Sequence, residues 1–143
     1  MTFGKIKKEK EERRNFHLSL FTFHISVYTM PIKVPAGLPA LQAVIDEGCT
    51  VETLKVSTAH TLRVALLNIM PMKETTEADF IRLLAATGEE VELVLMKLDT
   101  HTPKHASPEH MSRYYKAFSE LRDEHFDGLI ITGAPIEKIE FEE

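Results

Sequence analysis

Apolar residues gather in three short runs in the second half of the chain, with polar stretches between them. Residues 62–69 (LRVALLNI) are almost continuously apolar, as expected of a strand buried on both faces of a parallel sheet. Pro71 stops this run. Residues 91–98 (VELVLMKL) predict a second strand, and residues 128–132 (GLIIT) a third, ending at Gly133. Between the first two runs, Phe80, Leu83, Leu84 and Thr87 recur at i, i+3, i+4 and i+7, one face of a helix. Thr76 with Asp79 three residues on has the shape of an N-cap for that helix, and Gly88 ends it. Residues 99–108 read as a polar loop, and Pro108 suits the first turn of a helix running to about Leu121. The order β-α-β-α-β predicts an α/β fold with a doubly wound parallel sheet and right-handed crossovers. Ligands of such sheets bind beyond the carboxyl ends of the strands. Residues 70–75, 99–108 and 133–139 fall there.

The chain before residue 62 is less regular. Residues 30–40 hold Pro31, Pro35 and Pro39 with Gly37, which predicts an extended arm. Residues 41–47 allow one or two helical turns closed by Gly48, and residues 51–57 a short strand. Residues 1–29 differ in kind: a charged run is followed by a mixed apolar one. That is the outline of a secretory signal peptide, but His17, Ser19, Thr22, His24 and Ser26 interrupt the apolar run and no small-x-small cleavage site follows. The segment is read as a non-native or misassigned start, with the true start at Met30. A disordered extension and a targeting segment are the alternatives.

Charge sharpens this division. The 143 residues carry 17 Lys and Arg against 22 Asp and Glu, a formal charge of −5. Residues 1–29 hold six of the basic and three of the acidic residues, leaving 11 basic and 19 acidic from Met30 onward. So acidic a chain is a poor nucleic-acid binder, since phosphate contacts need clustered Lys and Arg. No run approaches the length of a membrane span. One cysteine, Cys49, excludes an intramolecular disulfide and a cysteine-only metal site.

Local chemistry is sparse. No GxGxxG, Walker or HExxH pattern occurs. His101, His105 and His110 match no common metal spacing and read as part of a solvated loop, so no metal is expected. Cys49 shows neither a neighbouring base nor a helix N-terminus to activate it, and reads as a small, partly buried side chain. Lys73 follows the first strand, where it meets an anionic ligand or is a solvated charge. Gly133-Ala134-Pro135 forms a tight turn that keeps backbone near any ligand, and Glu137 follows it.

Several segments taken in order carry a resemblance: Met30-Pro-Ile-Lys-Val-Pro35, Leu67-Asn-Ile-Met-Pro71, Lys73, Thr76-Glu77, Phe80-Ile-Arg-Leu-Leu84, Phe126-Asp-Gly-Leu-Ile-Ile-Thr-Gly-Ala-Pro135 and Glu140-Phe141. Together they resemble the homoserine O-acyltransferases of methionine biosynthesis. The resemblance runs from Met30 to Glu143 and covers roughly the first third of the family's length.

It implies a flavodoxin-like sheet similar to class I glutamine amidotransferases, here with only the first three main strands. It also implies acyl transfer from acyl-CoA to L-homoserine through a cysteine, with a histidine base oriented by a glutamate. All three family residues lie beyond residue 143, so no catalytic residue is expected in this segment and Cys49 is not the nucleophile. Glu137 falls at the family's acyl-specificity position, where glutamate goes with acetyl-CoA and glycine with succinyl-CoA. Lys73 matches a family lysine of the active site, and Met72 departs from the polar residue common in relatives. Gly133, Ala134 and Pro135 are carried as weaker substrate-binding positions.

The expected organisation is an extension over 1–29, a proline-rich arm with short elements over 30–61, and a truncated acyltransferase α/β domain over 62–143. The implied activity is that of a cytoplasmic homoserine O-acetyltransferase using acetyl-CoA as co-substrate, with no bound cofactor. A homodimer is possible for the full-length enzyme. The alternatives are the succinyl-transferring enzyme and a non-catalytic α/β module that binds a metabolite or partner. The strand near Leu129 is expected to leave a bare sheet edge in the isolated segment.

Overall fold

A computed structural model describes residues 31–49, 51–53, 55–100 and 106–134. The expectations for residues 1–29, for Pro135 and Glu137, and for His101 and His105 lie outside the described residues. The elements are β1 (Pro31–Lys33), α1 (Pro39–Asp46), β2 (Glu52–Thr53), β3 (Leu62–Leu67), α2 (Lys73–Ala85), β4 (Val91–Lys97), α3 (Pro108–Tyr114), β5 (Lys116–Ala117), α4 (Phe118–Leu121) and β6 (Gly128–Ile131). The six strands form one sheet in the order β2-β1-β4-β3-β6, with β5 also paired to β4. Every pairing is parallel.

The doubly wound α/β expectation holds. The chain moves from β3 to β4 on one side and then returns to place β6 on the other side of β3. The topological switch point of the described sheet is therefore the carboxyl end of β3, where such folds open a crevice.

Alternation along the strands separates two faces. Leu66, Val91, Leu93 and Leu95 pack with Val44 of α1, Ala78 and Ile81 of α2, and Met111 and Tyr114 of α3. Ala65, Val94 and Met96 point the other way and meet Leu121 of α4 with half-buried Leu67 and Phe126. Ile81, Leu66, Leu93 and Leu95 are fully buried, each contributing about 1.5–3 kcal/mol by leaving water. The second face is thinly covered. Leu129 and Ile131 of β6, in register with Ala65 and Leu67, are 57% and 59% exposed, so the bare flank expected near Leu129 is present.

Several local expectations are corrected. The proline-rich arm carries β1, an interior strand between β2 and β4. Pro31 is tolerated because it is the first residue of the strand. Helix α2 starts at Lys73 rather than after Thr76, whose hydroxyl donates to Met72 O at 3.0 Å inside the first turn. Its buried stripe is Lys73, Glu77, Ala78 and Ile81, while Leu83 is 64% exposed. The expected face was rotated because two charged residues hold the core positions. The helix expected from Pro108 to Leu121 breaks at extended Tyr115, after which β5 pairs with β4. Cys49 is exposed rather than partly buried.

Candidate active site at the carboxyl end of β3

Beyond Leu67 the chain leaves the sheet. Thr132 Oγ1 accepts the Ile69 amide at 2.7 Å, and Asn68 Oδ1 accepts the Met70 amide at 3.1 Å, which fixes the turn. Asn68 is buried with its carbonyl facing α2. Lys73, the first residue of α2, donates from Nζ to that carbonyl at 2.6 Å and is only 6% exposed. Burial pulls its pKa below the ordinary lysine value, and the nearby Glu77 charge partly restores it.

Glu77 lies one turn further along α2 and is wholly buried. Spacing of i, i+4 puts it on the same face as Lys73. Its Oε1 accepts the Tyr115 hydroxyl at 2.6 Å and sits 2.8 Å from Nε2 of His110. Asn68 Nδ2 in turn donates to the Tyr115 oxygen at 3.1 Å. The links run Lys73–Asn68–Tyr115–Glu77–His110 and tie β3, α2 and α3 together. Glu77 Oε2 is buried with no partner among the described residues. Burial and the Glu77 charge together push the Tyr115 hydroxyl above its ordinary pKa, so it stays a donor.

His110 corrects the solvated-loop expectation: it lies in α3 and is 7% exposed. Helix α3 begins where Pro108 takes the first position and Ser107 Oγ accepts the His110 amide at 3.4 Å. With Nε2 on Glu77, the ring's Nδ1 lies 3.7 Å from Glu74.

Lys73 and His110 both line a cleft of about 500 Å³, between the Pro71–Met72 turn and the start of α3. No side chain caps the start of α2, and its first residues line the cleft. An ammonium beside an uncapped helix N-terminus suits an anionic group or a developing oxyanion. Gly133 stands exposed in open space past β6, and Ala134 is half-buried. Among the described residues no group of His, Cys, Asp and Glu could hold a metal ion. No described helix is long and apolar enough to cross a membrane.

Residues 31–143 match the homoserine O-succinyltransferase family. The chain belongs to that family. Its curated relatives include a homoserine O-acetyltransferase of Brevibacillus brevis, 50% identical over 117 residues, which covers 78% of this chain and 38% of the relative. An Acetivibrio thermocellus homoserine O-acetyltransferase is 45% identical over 80% of this chain and 38% of the relative. A third, from Ruegeria pomeroyi, is 48% identical over 78% of this chain and 37% of the relative. The chain thus spans well under half the length of these relatives.

Of the positions expected at the ligand edge, Lys73 is the one the structure places in the buried network. His110, read as part of a solvated loop, joins it, as do Asn68 and Glu77, which were named only within the resembling segments. Tyr115 was not anticipated. The signal for Glu77 was present, four residues after Lys73 on a helix.

Proposed function

We propose that this chain is the N-terminal part of a homoserine O-acetyltransferase that moves acetyl from acetyl-CoA to the hydroxyl of L-homoserine. The observation that carries the reading is 45–50% identity to proteins of that name over nearly four fifths of the chain. The site supports it, because Lys73 lines a cleft at the switch point of the sheet. In the proposed chemistry a cysteine thiolate attacks the thioester carbonyl and the CoA thiolate leaves. Homoserine's hydroxyl then attacks the acyl-cysteine carbonyl and gives its proton to a base; the C–S bond breaks, the cysteine thiolate leaves, and the ester is formed. The cysteine, base and orienting glutamate come from beyond this segment, and exposed Cys49 is not the nucleophile. Lys73 would sit near the acyl group as a fixed positive charge.

The family's own description favours succinyl transfer as a second reading. Glu137 separates the two, since a carboxylate in the acyl pocket repels the distal carboxylate of a succinyl group. The test joins residues 31–143 to the remaining part of the Brevibacillus brevis relative and compares acetyl-CoA with succinyl-CoA. Acetyl transfer is expected. Glu137→Gly should move the ratio of kcat/KM values at least about tenfold toward succinyl-CoA. An unchanged ratio refutes the role of Glu137, and a chimera without acetyl transfer refutes the proposed activity.

A further inference from the structure

Among the described residues one lysine and one glutamate are buried, and both lie on the same face of α2. Their i, i+4 spacing sets Lys73 and Glu77 one turn apart, with Cβ atoms about 6 Å from each other. The helix therefore carries an opposite-charge pair where its core stripe would ordinarily be apolar. Each member is held by other partners. Glu77 Oε1 accepts the Tyr115 hydroxyl at 2.6 Å and faces Nε2 of His110 at 2.8 Å. Lys73 Nζ donates to Asn68 O at 2.6 Å. A glutamine would offer Tyr115 the same acceptor, so what distinguishes a glutamate at this position is its charge. Its Oε2, buried without a hydrogen-bond partner among the described residues, adds a desolvation cost that hydrogen bonding does not offset.

A buried ammonium loses its hydration, which favours the neutral amine. For Lys73 burial is the larger influence, and the Glu77 carboxylate opposes it. The other groups around Lys73 supply less. Glu74, beside it on α2, is 64% exposed, so water screens its charge. From α3, Tyr115 stays a neutral donor, and His110 turns Nε2 to Glu77. The end of β3 contributes the uncharged Asn68. Glu77 is thus the one buried negative charge near Lys73 among the described residues. The charge matters to acyl transfer. Negative charge grows on the carbonyl oxygen under attack, and an ammonium stabilises it where a neutral amine offers only a hydrogen bond. Nζ carries three protons and uses one on Asn68 O, which leaves donors for a group in the cleft that Lys73 lines.

We propose that Glu77 is a positioning residue of the acyl-transfer site, whose buried carboxylate keeps the Lys73 ammonium charged beside the cleft. The assignment rests on the acetyltransferase reading. Glu77 itself does not line the cleft, so it acts on substrate only through Lys73. Removing one member of a buried charge pair leaves the other uncompensated, and for Lys73 the way out is loss of its proton.

The test follows the Lys73 side-chain resonance against pH in the complete 143-residue chain, grown with carbon-13-labelled lysine and assigned by the signal lost in Lys73→Arg. In the wild-type chain Lys73 should be protonated at neutral pH, and a neutral amine there overturns the proposal whether or not any variant folds. Glu77→Gln should move the Lys73 titration to lower pH by about one pH unit or more. Glu77→Asp, which keeps the charge, should restore most of that shift. Tyr115→Phe removes a hydrogen bond but neither charge, and should leave the titration near its wild-type position. An unmoved titration in Glu77→Gln, or an equal shift in Tyr115→Phe, overturns the proposal. In the chimera Glu77→Gln should move the alkaline limb of kcat to lower pH, while KM for homoserine changes less than about twofold. A limb that stays put, or an effect confined to KM, overturns it. A chimera that transfers no acetyl group, in which Glu77→Gln still shifts Lys73, would sink the activity and leave the Glu77–Lys73 coupling standing.

Discussion

Tyr115→Phe is the sharpest test of the buried network, because it removes one oxygen and almost no volume. That oxygen donates to Glu77 at 2.6 Å and accepts from Asn68 at 3.1 Å. A hydrogen bond to a charged group contributes about 1.5–3 kcal/mol net. Asn68 keeps only a longer contact to Lys73 O at 3.4 Å, which adds roughly 1 kcal/mol for a poorly satisfied buried donor. Glu77, with one oxygen already unpartnered, would depend on His110 alone. The expected destabilisation is about 2–4 kcal/mol, read from urea unfolding followed by circular dichroism. Its pH dependence has a definite sign. The folded state raises the Tyr115 pKa above the ordinary 10.0. Its contribution is therefore full below pH 10 and erodes as pH rises beyond, where the unfolded chain ionises first. The gap between wild type and variant should be flat from about pH 6 to 9 and narrow above about 10. Burial lowers the Lys73 pKa from its ordinary value, but Lys73 is present in both proteins. A gap below about 0.5 kcal/mol, or one that widens with alkali, would refute the network as described.

The second face offers another test. Ile131→Lys places a charge on a strand whose flank is bare, and it should reduce self-association of the chain in sedimentation runs at tens of micromolar. A wild-type chain already monomeric there would contradict the reading. Glu92 lies between Lys33 at 2.9 Å and Arg63 at 3.1 Å and accepts the Ser57 hydroxyl at 2.9 Å. Burial alone would raise its pKa, but these hydrogen bonds and charges outweigh it and hold the carboxyl below the ordinary 4.5. Its stabilisation is present above that value and is lost as pH falls through the folded one. Glu92→Gln should cost about 1–2 kcal/mol at pH 7 and make stability less sensitive to acid below about pH 4.5, as measured by urea unfolding at each pH.

The three main strands were legible because burial on both faces writes a continuous apolar run. Their starts at Leu62, Val91 and Gly128 agree with the structure. Their ends were read one or two residues too long, since Asn68, Ile69, Leu98 and Thr132 have the composition of strand but belong to the edge that builds the site. β1 was hidden by its prolines. The α2 face was misplaced for the opposite reason. Hydrophobic periodicity assumes that core positions are apolar, and Lys73 and Glu77 break that assumption where the helix meets the site. His110 was grouped with His101 and His105 by proximity in sequence. Its burial depends on Glu77, 33 residues away, which no local pattern shows.

The distribution of buried polar groups makes its own case for where function lies. Away from the carboxyl end of β3 the two cores are built from Leu, Ile, Val, Ala, Met and Tyr, and the buried polar residue among the described ones there is the uncharged Thr61. At that end Asn68, Lys73, Glu77 and His110 are all buried. Each carries a desolvation cost, and a buried pair can often be replaced by apolar residues with equal or better stability. Packing alone therefore gives no reason to gather them at one place. A reaction that needs an ammonium held in fixed geometry beside a cleft does. The network supplies that geometry, because Lys73 is bound to a carbonyl whose own residue is held by Tyr115, and Tyr115 by Glu77. This is a physical ground, separate from any family likeness, for placing function at the switch point of the sheet.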